Sequence, residues 1–130
     1  MRAAKTDNLA DELTSAAAVG DTVLARLLLR NGADVNRANR FGRTPVQVMM
    51  MGSESMASLL LSQGANPNMA DASTGSTPLH DAAREGFLRT VELLVRAGAD
   101  ITILDYSGQT PAQLALQGGH AHIVNYLQHL

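Results

Sequence analysis

Gly75-Ser-Thr-Pro-Leu-His-Asp-Ala-Ala-Arg-Glu-Gly86 is the stretch that decides the fold. Thr77 is suited to cap a helix, because its hydroxyl can accept a bond from a first-turn N–H that has no partner within the helix. Pro78 follows at the first helical position, where its missing N–H costs nothing and its φ is already set. Leu79, Ala82 and Ala83 then fall at helical spacing, with small alanines that let a neighbouring helix approach closely. Gly86 breaks this helix. Downstream, Val91, Leu94 and Val95 lie at i, i+3 and i+4 and mark a second helix. Gly98 ends it, in the left-handed conformation that glycine adopts cheaply. Ala99 to Ser107 cross over as a projecting turn.

The same unit recurs on both sides. Gly42-Arg-Thr-Pro45, Gly75-Ser-Thr-Pro78 and Gly108-Gln-Thr-Pro111 are spaced by 75−42 = 33 and 108−75 = 33. Gly32-Ala-Asp-Val-Asn36, Gly64-Ala-Asn-Pro-Asn68 and Gly98-Ala-Asp-Ile-Thr102 recur between them. The first unit lacks Thr-Pro but keeps Ala16, Ala17 and Gly20, then Leu24, Leu27 and Leu28, then Gly32. The last ends on Ile123, Val124 and Leu127. A 33-residue period carrying these phrases resembles the ankyrin repeat. The resemblance implies an all-α ankyrin-repeat solenoid in one domain, 1–130, with four helix-turn-helix repeats at about 8–41, 42–74, 75–107 and 108–130.

Composition agrees. Aromatic residues are only 3% of the 130, so the 45% that is apolar is mostly Leu, Ala, Val and Met, material for packed helices rather than sheets. A net charge of −2 gives no general attraction for nucleic acid or an anionic membrane. With no cysteine there are neither disulfides nor thiolate metal sites. No apolar signal core opens the chain and no stretch approaches membrane-spanning length, which points to the cytoplasm or nucleus.

The second repeat departs from its neighbours. Thr77 to Gly86 and Thr110 to Gly119 each span nine positions, whereas Thr44 to Gly52 spans eight. Losing one residue turns everything after it by about 100°, so this repeat is expected to keep one irregular turn of its first helix. Its sequence is Val46-Gln-Val-Met-Met-Met51. Methionine is adaptable and common on binding surfaces. It also fills gaps, so each of the three has a packing role open to it. Three consecutive residues cannot all face inward, so at least one is expected outside.

Asn39-Arg-Phe-Gly-Arg43, Gln47-Val-Met-Met-Met-Gly-Ser53 and His80-Asp-Ala-Ala-Arg-Glu-Gly-Phe87 together resemble the short ankyrin-repeat inhibitors of cyclin-dependent kinases four and six, tumour suppressors that restrain G1 progression. The resemblance covers nearly the whole chain and is closest from Asn39 to Phe87. It implies a monomer that binds the kinase beside its ATP cleft, opposite the cyclin, distorts the nucleotide and cyclin sites, and keeps the cell in G1. It further implies that the second and third repeats carry the contact, through Met49, Met50, Asp71, Asp81, Arg84 and Glu85, with Phe87 closing the last matching string. Val23, Arg89 and Tyr106 stand where the nearest members carry a glutamate, an aspartate and a tryptophan.

Plainer roles compete for the same residues. Asp81 lies in the first turn of its helix, where the helix dipole favours an acid without any partner. Asp71 belongs to Asp-Ala-Ser-Thr-Gly75, a good turn by itself. Arg84 can pair locally with Asp81 or Glu85. His80 is expected to make a structural bond around the Thr-Pro turn, with Gln47 and Gln113 in the equivalent places. No metal, cofactor or catalysis is read: His120 and His122 point in different directions on one helix, His122 and His129 are two turns apart, and no phosphate loop occurs. Arg37, Arg40 and Arg43 read as a solvated basic rim. Other functional classes are a generic ankyrin adaptor with an unrelated partner and a regulatory subunit, and neither of these needs the shortened helix with its methionines.

Overall fold

The computed structural model describes the chain from Arg2 to Leu130, with side chains from Asn8 onward. Its helices are α1 (Arg2–Val19), α2 (Thr22–Arg30), α3 (Pro45–Val48), α4 (Glu54–Ser62), α5 (Pro78–Glu85), α6 (Leu88–Arg96), α7 (Pro111–Gln117) and α8 (Ala121–Gln128). No described residue is in a strand. No described helix is long and apolar enough to cross a membrane.

The Thr-Pro phrases act as the sequence reading expected. Thr44, Thr77 and Thr110 sit in extended conformation immediately before a proline that starts a helix. In each, the third helical residue reaches back to the cap. Gln47 Oε1 accepts from the Thr44 N–H at 2.7 Å, His80 Nδ1 from the Thr77 N–H at 3.1 Å, and Gln113 Oε1 from the Thr110 N–H at 2.8 Å. The His80 N–H donates to Thr77 Oγ1 at 3.3 Å and the Gln113 N–H to Thr110 Oγ1 at 3.2 Å, so orphan donors are satisfied reciprocally.

Two compact units result, Met1–Asn66 and Pro67–Leu130. In the first, α1 packs on α2 and α3, and α4 packs on α2 and α3. Leu13, Ala17, Ala25, Val46, Met56 and Leu60 are fully enclosed. α1 reaches back to Arg2. One expectation changes here. α2 buries Ala25 and Leu28, while Leu24 and Leu27 of the expected stripe are 38% and 53% exposed. Each lies one position before a buried residue, hence about 100° round the helix.

In the second unit α5 packs on α6 and α7, and α8 on α7 and α6. Leu79, Ala82, Ala83, Val91 and Leu94 are shut off from solvent. Full burial of each larger aliphatic among them contributes about 1.5–3 kcal/mol. His80 is also wholly buried, so its ring must be satisfied. With Nδ1 accepting from Thr77, the proton belongs on Nε2, which donates to the Gln109 carbonyl at 2.9 Å. Gly86 ends α5 with φ +88°, and a Cβ there would come 2.6 Å from the His120 ring. His120 Nε2 in turn donates to the Arg84 carbonyl at 2.9 Å.

Side-chain amides tie each Gly-Ala phrase to the next. Asn36 Nδ2 donates to the Gly64 carbonyl at 2.9 Å and Asn36 Oδ1 accepts from the Asn66 N–H at 2.8 Å. Asn68 does the same for the Gly98 carbonyl and the Asp100 N–H, at 3.3 and 2.8 Å. Thr102 donates its hydroxyl and its N–H to Asp100, which holds that carboxyl below its ordinary range.

The turns before each first helix reveal how the second repeat keeps register. Asn39 closes on Arg43, and Asp105 on Gln109, across four residues (43−39 = 4, 109−105 = 4). Asp71 closes on Ser76 across five (76−71 = 5), and the Gly75 N–H reaches Asp71 where the Gly42 and Gly108 N–H groups reach Asn39 and Asp105. One residue lost after Thr44 is regained in this turn. The constant 33-residue spacing of Gly42 and Gly75 is therefore a deletion cancelled by an insertion.

Candidate partner-binding residues

Two groups of expected contact residues lie in the two units. In the first unit α3 is a single turn. Met49, at φ −54° and ψ 149°, leaves it in extended conformation after its N–H has closed the turn onto the Pro45 carbonyl at 2.9 Å. The Met50 N–H then bonds the Ala17 carbonyl of α1 at 2.9 Å, pinning the chain there. Met49 and Met51 are buried, 3% and 7% exposed, and Met50 between them is 46% exposed, with the Ser53 N–H closing a turn onto its carbonyl at 3.0 Å. Met49, one of the expected contact residues, therefore lies in the core of the free chain, while Met50 beside it reaches the surface. Met50 lies over Gly20, φ +76°, where a Cβ would meet its sulfur at 3.0 Å.

In the second unit the structure joins Asp71, Ser76, Asp81 and Arg84 into one bonded set. Asp71 anchors the turn through its N–H to the Ser76 carbonyl at 2.9 Å, and its Oδ1 accepts from the Ser73 N–H at 2.7 Å. Ser76 donates its hydroxyl to Asp81 Oδ1 at 2.7 Å. Arg84 Nη1 donates to the same oxygen at 3.0 Å, and Nη2 approaches the Ser76 hydroxyl at 3.4 Å. Asp81 Oδ2 takes no hydrogen bond from the described residues. The two side chains of the pair are 28% and 47% exposed, which keeps its stabilising value to about 0–1 kcal/mol. What the arrangement does instead is hold a carboxylate in one rotamer with an oxygen left over, ready for a charged donor.

Glu85 is exposed at the end of α5. Phe87 is 39% exposed one residue after Gly86, with its N–H on the Ala82 carbonyl at 3.0 Å. Asp71 keeps the turn role open to it from its sequence, since Asn39 Oδ1 and Asp105 Oδ1 accept equivalent N–H bonds in their own turns. Sequence reading missed Ser76. Its signal was present, for the position before Thr-Pro holds Arg43 and Gln109 elsewhere and only here a short hydroxyl five residues before an acid. It also missed His120, whose bond to Arg84 fixes the backbone under the set.

The ankyrin-repeat family, in the form "Ankyrin repeats (3 copies)", matches residues 13–105. The chain is similar to mouse "Cyclin-dependent kinase 4 inhibitor B", 54% identical over 115 residues that cover 88% of both chains. It is similar to the human protein of the same name, 53% identical over 116 residues, 89% of this chain and 84% of that one. Human "Cyclin-dependent kinase inhibitor 2A" is 50% identical over 119 residues, 92% of this chain and 76% of that one.

Proposed function

We infer that this chain, which belongs to the ankyrin-repeat family and within it to the cyclin-dependent kinase inhibitors, is itself a stoichiometric protein inhibitor of the G1 cyclin-dependent kinases four and six. One observation carries the reading: about half of all residues match proteins named "Cyclin-dependent kinase 4 inhibitor B", over 84–88% of those proteins' length. The proposal has the chain bind beside the ATP cleft of the kinase as a monomer, catalyse nothing, and weaken cyclin and nucleotide binding. It would act where those kinases act, in cytoplasm and nucleus.

The contact residues we propose are Met50, Asp71, Asp81, Arg84, Glu85 and Phe87. Geometry supports Asp81 best, since its position is held by Ser76 and Arg84 and it keeps an unused oxygen. A preformed carboxylate loses little rotamer entropy when a guanidinium docks on it. Met50 supplies an adaptable apolar contact on a backbone bonded to α1.

Titration into each cyclin–kinase assay tests the inference. Inhibition should be complete near one equivalent when protein exceeds the dissociation constant. Full activity of both kinases at saturating inhibitor would remove it in favour of an adaptor with another partner. Asp81→Asn should weaken inhibition at least about tenfold, with a stability change of under about 1 kcal/mol. Unchanged inhibition would remove Asp81 from the contact.

A further inference from the structure

The outer side of α2 and α4 carries a second feature, separate from the residues proposed to meet the kinase. A groove made of two adjoining pockets of about 230 and about 470 Å³ runs between these helices. Arg26 and Arg30 form one wall, Ser58 and Gln63 the other, and half-buried Leu29 and Leu59 lie between them. Arg26 and Arg30 are one helical turn apart, so their charges face the same way and repel mildly. Neither has a carboxylate partner among the described residues.

Arg30 sits in the last turn of α2, where the dipole welcomes a cation. Arg26 is mid-helix and has no such reason. The matching helix of the next unit shows the self-contained alternative. Glu92 is the fifth residue of α6 as Arg26 is the fifth of α2 (92−88 = 26−22 = 4), and it meets Arg89 of its own helix at 3.8 Å. The first unit places a cation at that position and a serine, Ser58, at the same position of α4. The groove therefore combines two uncompensated guanidinium groups, an apolar floor and neutral hydrogen-bonding groups opposite.

We propose that this groove docks an acidic peptide segment of a partner protein, with two carboxylates about 6 Å apart on Arg26 and Arg30 and an apolar side chain between them on Leu29 and Leu59. Guanidinium groups bind carboxylates by paired N–H bonds, and a leucine floor selects a peptide over a bare anion. The site shares no residue with those proposed for the kinase.

Amide NMR titration of the full chain tests this. The probe is a twelve-residue capped peptide with two glutamates four positions apart and a leucine between them. Shifts should concentrate at residues 26–30 and 55–63 and shrink in high salt. Arg26→Gln with Arg30→Gln should weaken binding about fivefold without altering kinase inhibition, and Arg26→Lys with Arg30→Lys should keep part of it. A peptide with glutamine for glutamate should bind as weakly as the double glutamine variant. Shifts elsewhere, no shifts, or equal binding by the glutamine variant would overturn the proposal. So would equally strong shifts from inorganic phosphate, anionic vesicles or single-stranded DNA, which would reduce the groove to a simple anion attractor.

Discussion

α3 and α5 begin alike and finish differently. Both open on an extended threonine, a proline at the first helical position and a side chain at the third that reaches back to the cap. α5 then continues for eight residues to a left-handed glycine and buries Leu79, Ala82 and Ala83. α3 stops after four and exits through extended Met49. The shared opening shows that the cap starts a helix whichever residues come after it. The difference shows that the small-residue face and the terminating glycine decide whether it continues. Where they are missing, the chain leaves the helix through extended Met49, with that methionine in and the next one out.

The largest expected contrast is between the two reaching-back residues. His80→Ala removes a ring with no solvent exposure and strands the Thr77 N–H and the Gln109 carbonyl. Cavity and lost bonds together should cost about 3–5 kcal/mol. Gln47→Ala removes a half-buried amide whose bonds go only to Thr44, and should cost about 1 kcal/mol. Denaturant unfolding of the two variants gives the comparison directly. Equal losses would mean that the two caps are energetically the same and that the buried histidine adds nothing.

The methionines give the next contrast, and it separates stability from binding. Met49→Ala empties a nearly closed site and should cost about 2–4 kcal/mol. Met50→Ala should cost under about 1 kcal/mol, since half of that side chain already faces water, yet weaken kinase inhibition severalfold. A Met50→Ala protein that inhibits normally while Met49→Ala remains stable would reverse the assignment of inside and outside.

That assignment shows where sequence reading stops. The fold was legible because Thr-Pro caps, glycine ends and the 33-residue period are local signals, each with a mechanism in a few residues. The shortened helix was legible from one missing position. Which methionine would face out was not, because it depends on the bond from Met50 to Ala17, more than thirty residues earlier in the chain. The compensating residue in the Asp71–Ser76 turn was hidden by the regular glycine spacing it restores. Leu24 and Leu27 fitted an apolar stripe as well as Ala25 and Leu28 do, and only the packing of α2 on α1 and α4 chose between them. Of the site, Asp81 and Arg84 could be paired by spacing. Ser76, which completes the set, comes from outside the helix.

The smallest effect expected concerns what α5 has and α3 lacks, a carboxylate held in place. The residue of α3 that matches Asp81 in distance from the cap is Val48 (81−77 = 48−44 = 4). Arg84→Gln leaves the Ser76 bond to Asp81 intact and removes one partly exposed ion pair, so stability should fall by only about 0–1 kcal/mol. A double variant no worse than Asp81→Asn alone would reduce Arg84 from a proposed contact to a residue that only orients Asp81. Additive losses would instead give Arg84 its own contact with the kinase. A stability loss well above about 1 kcal/mol would show the pair to be structural, and the contrast between α3 and α5 would then be one of folding rather than of binding.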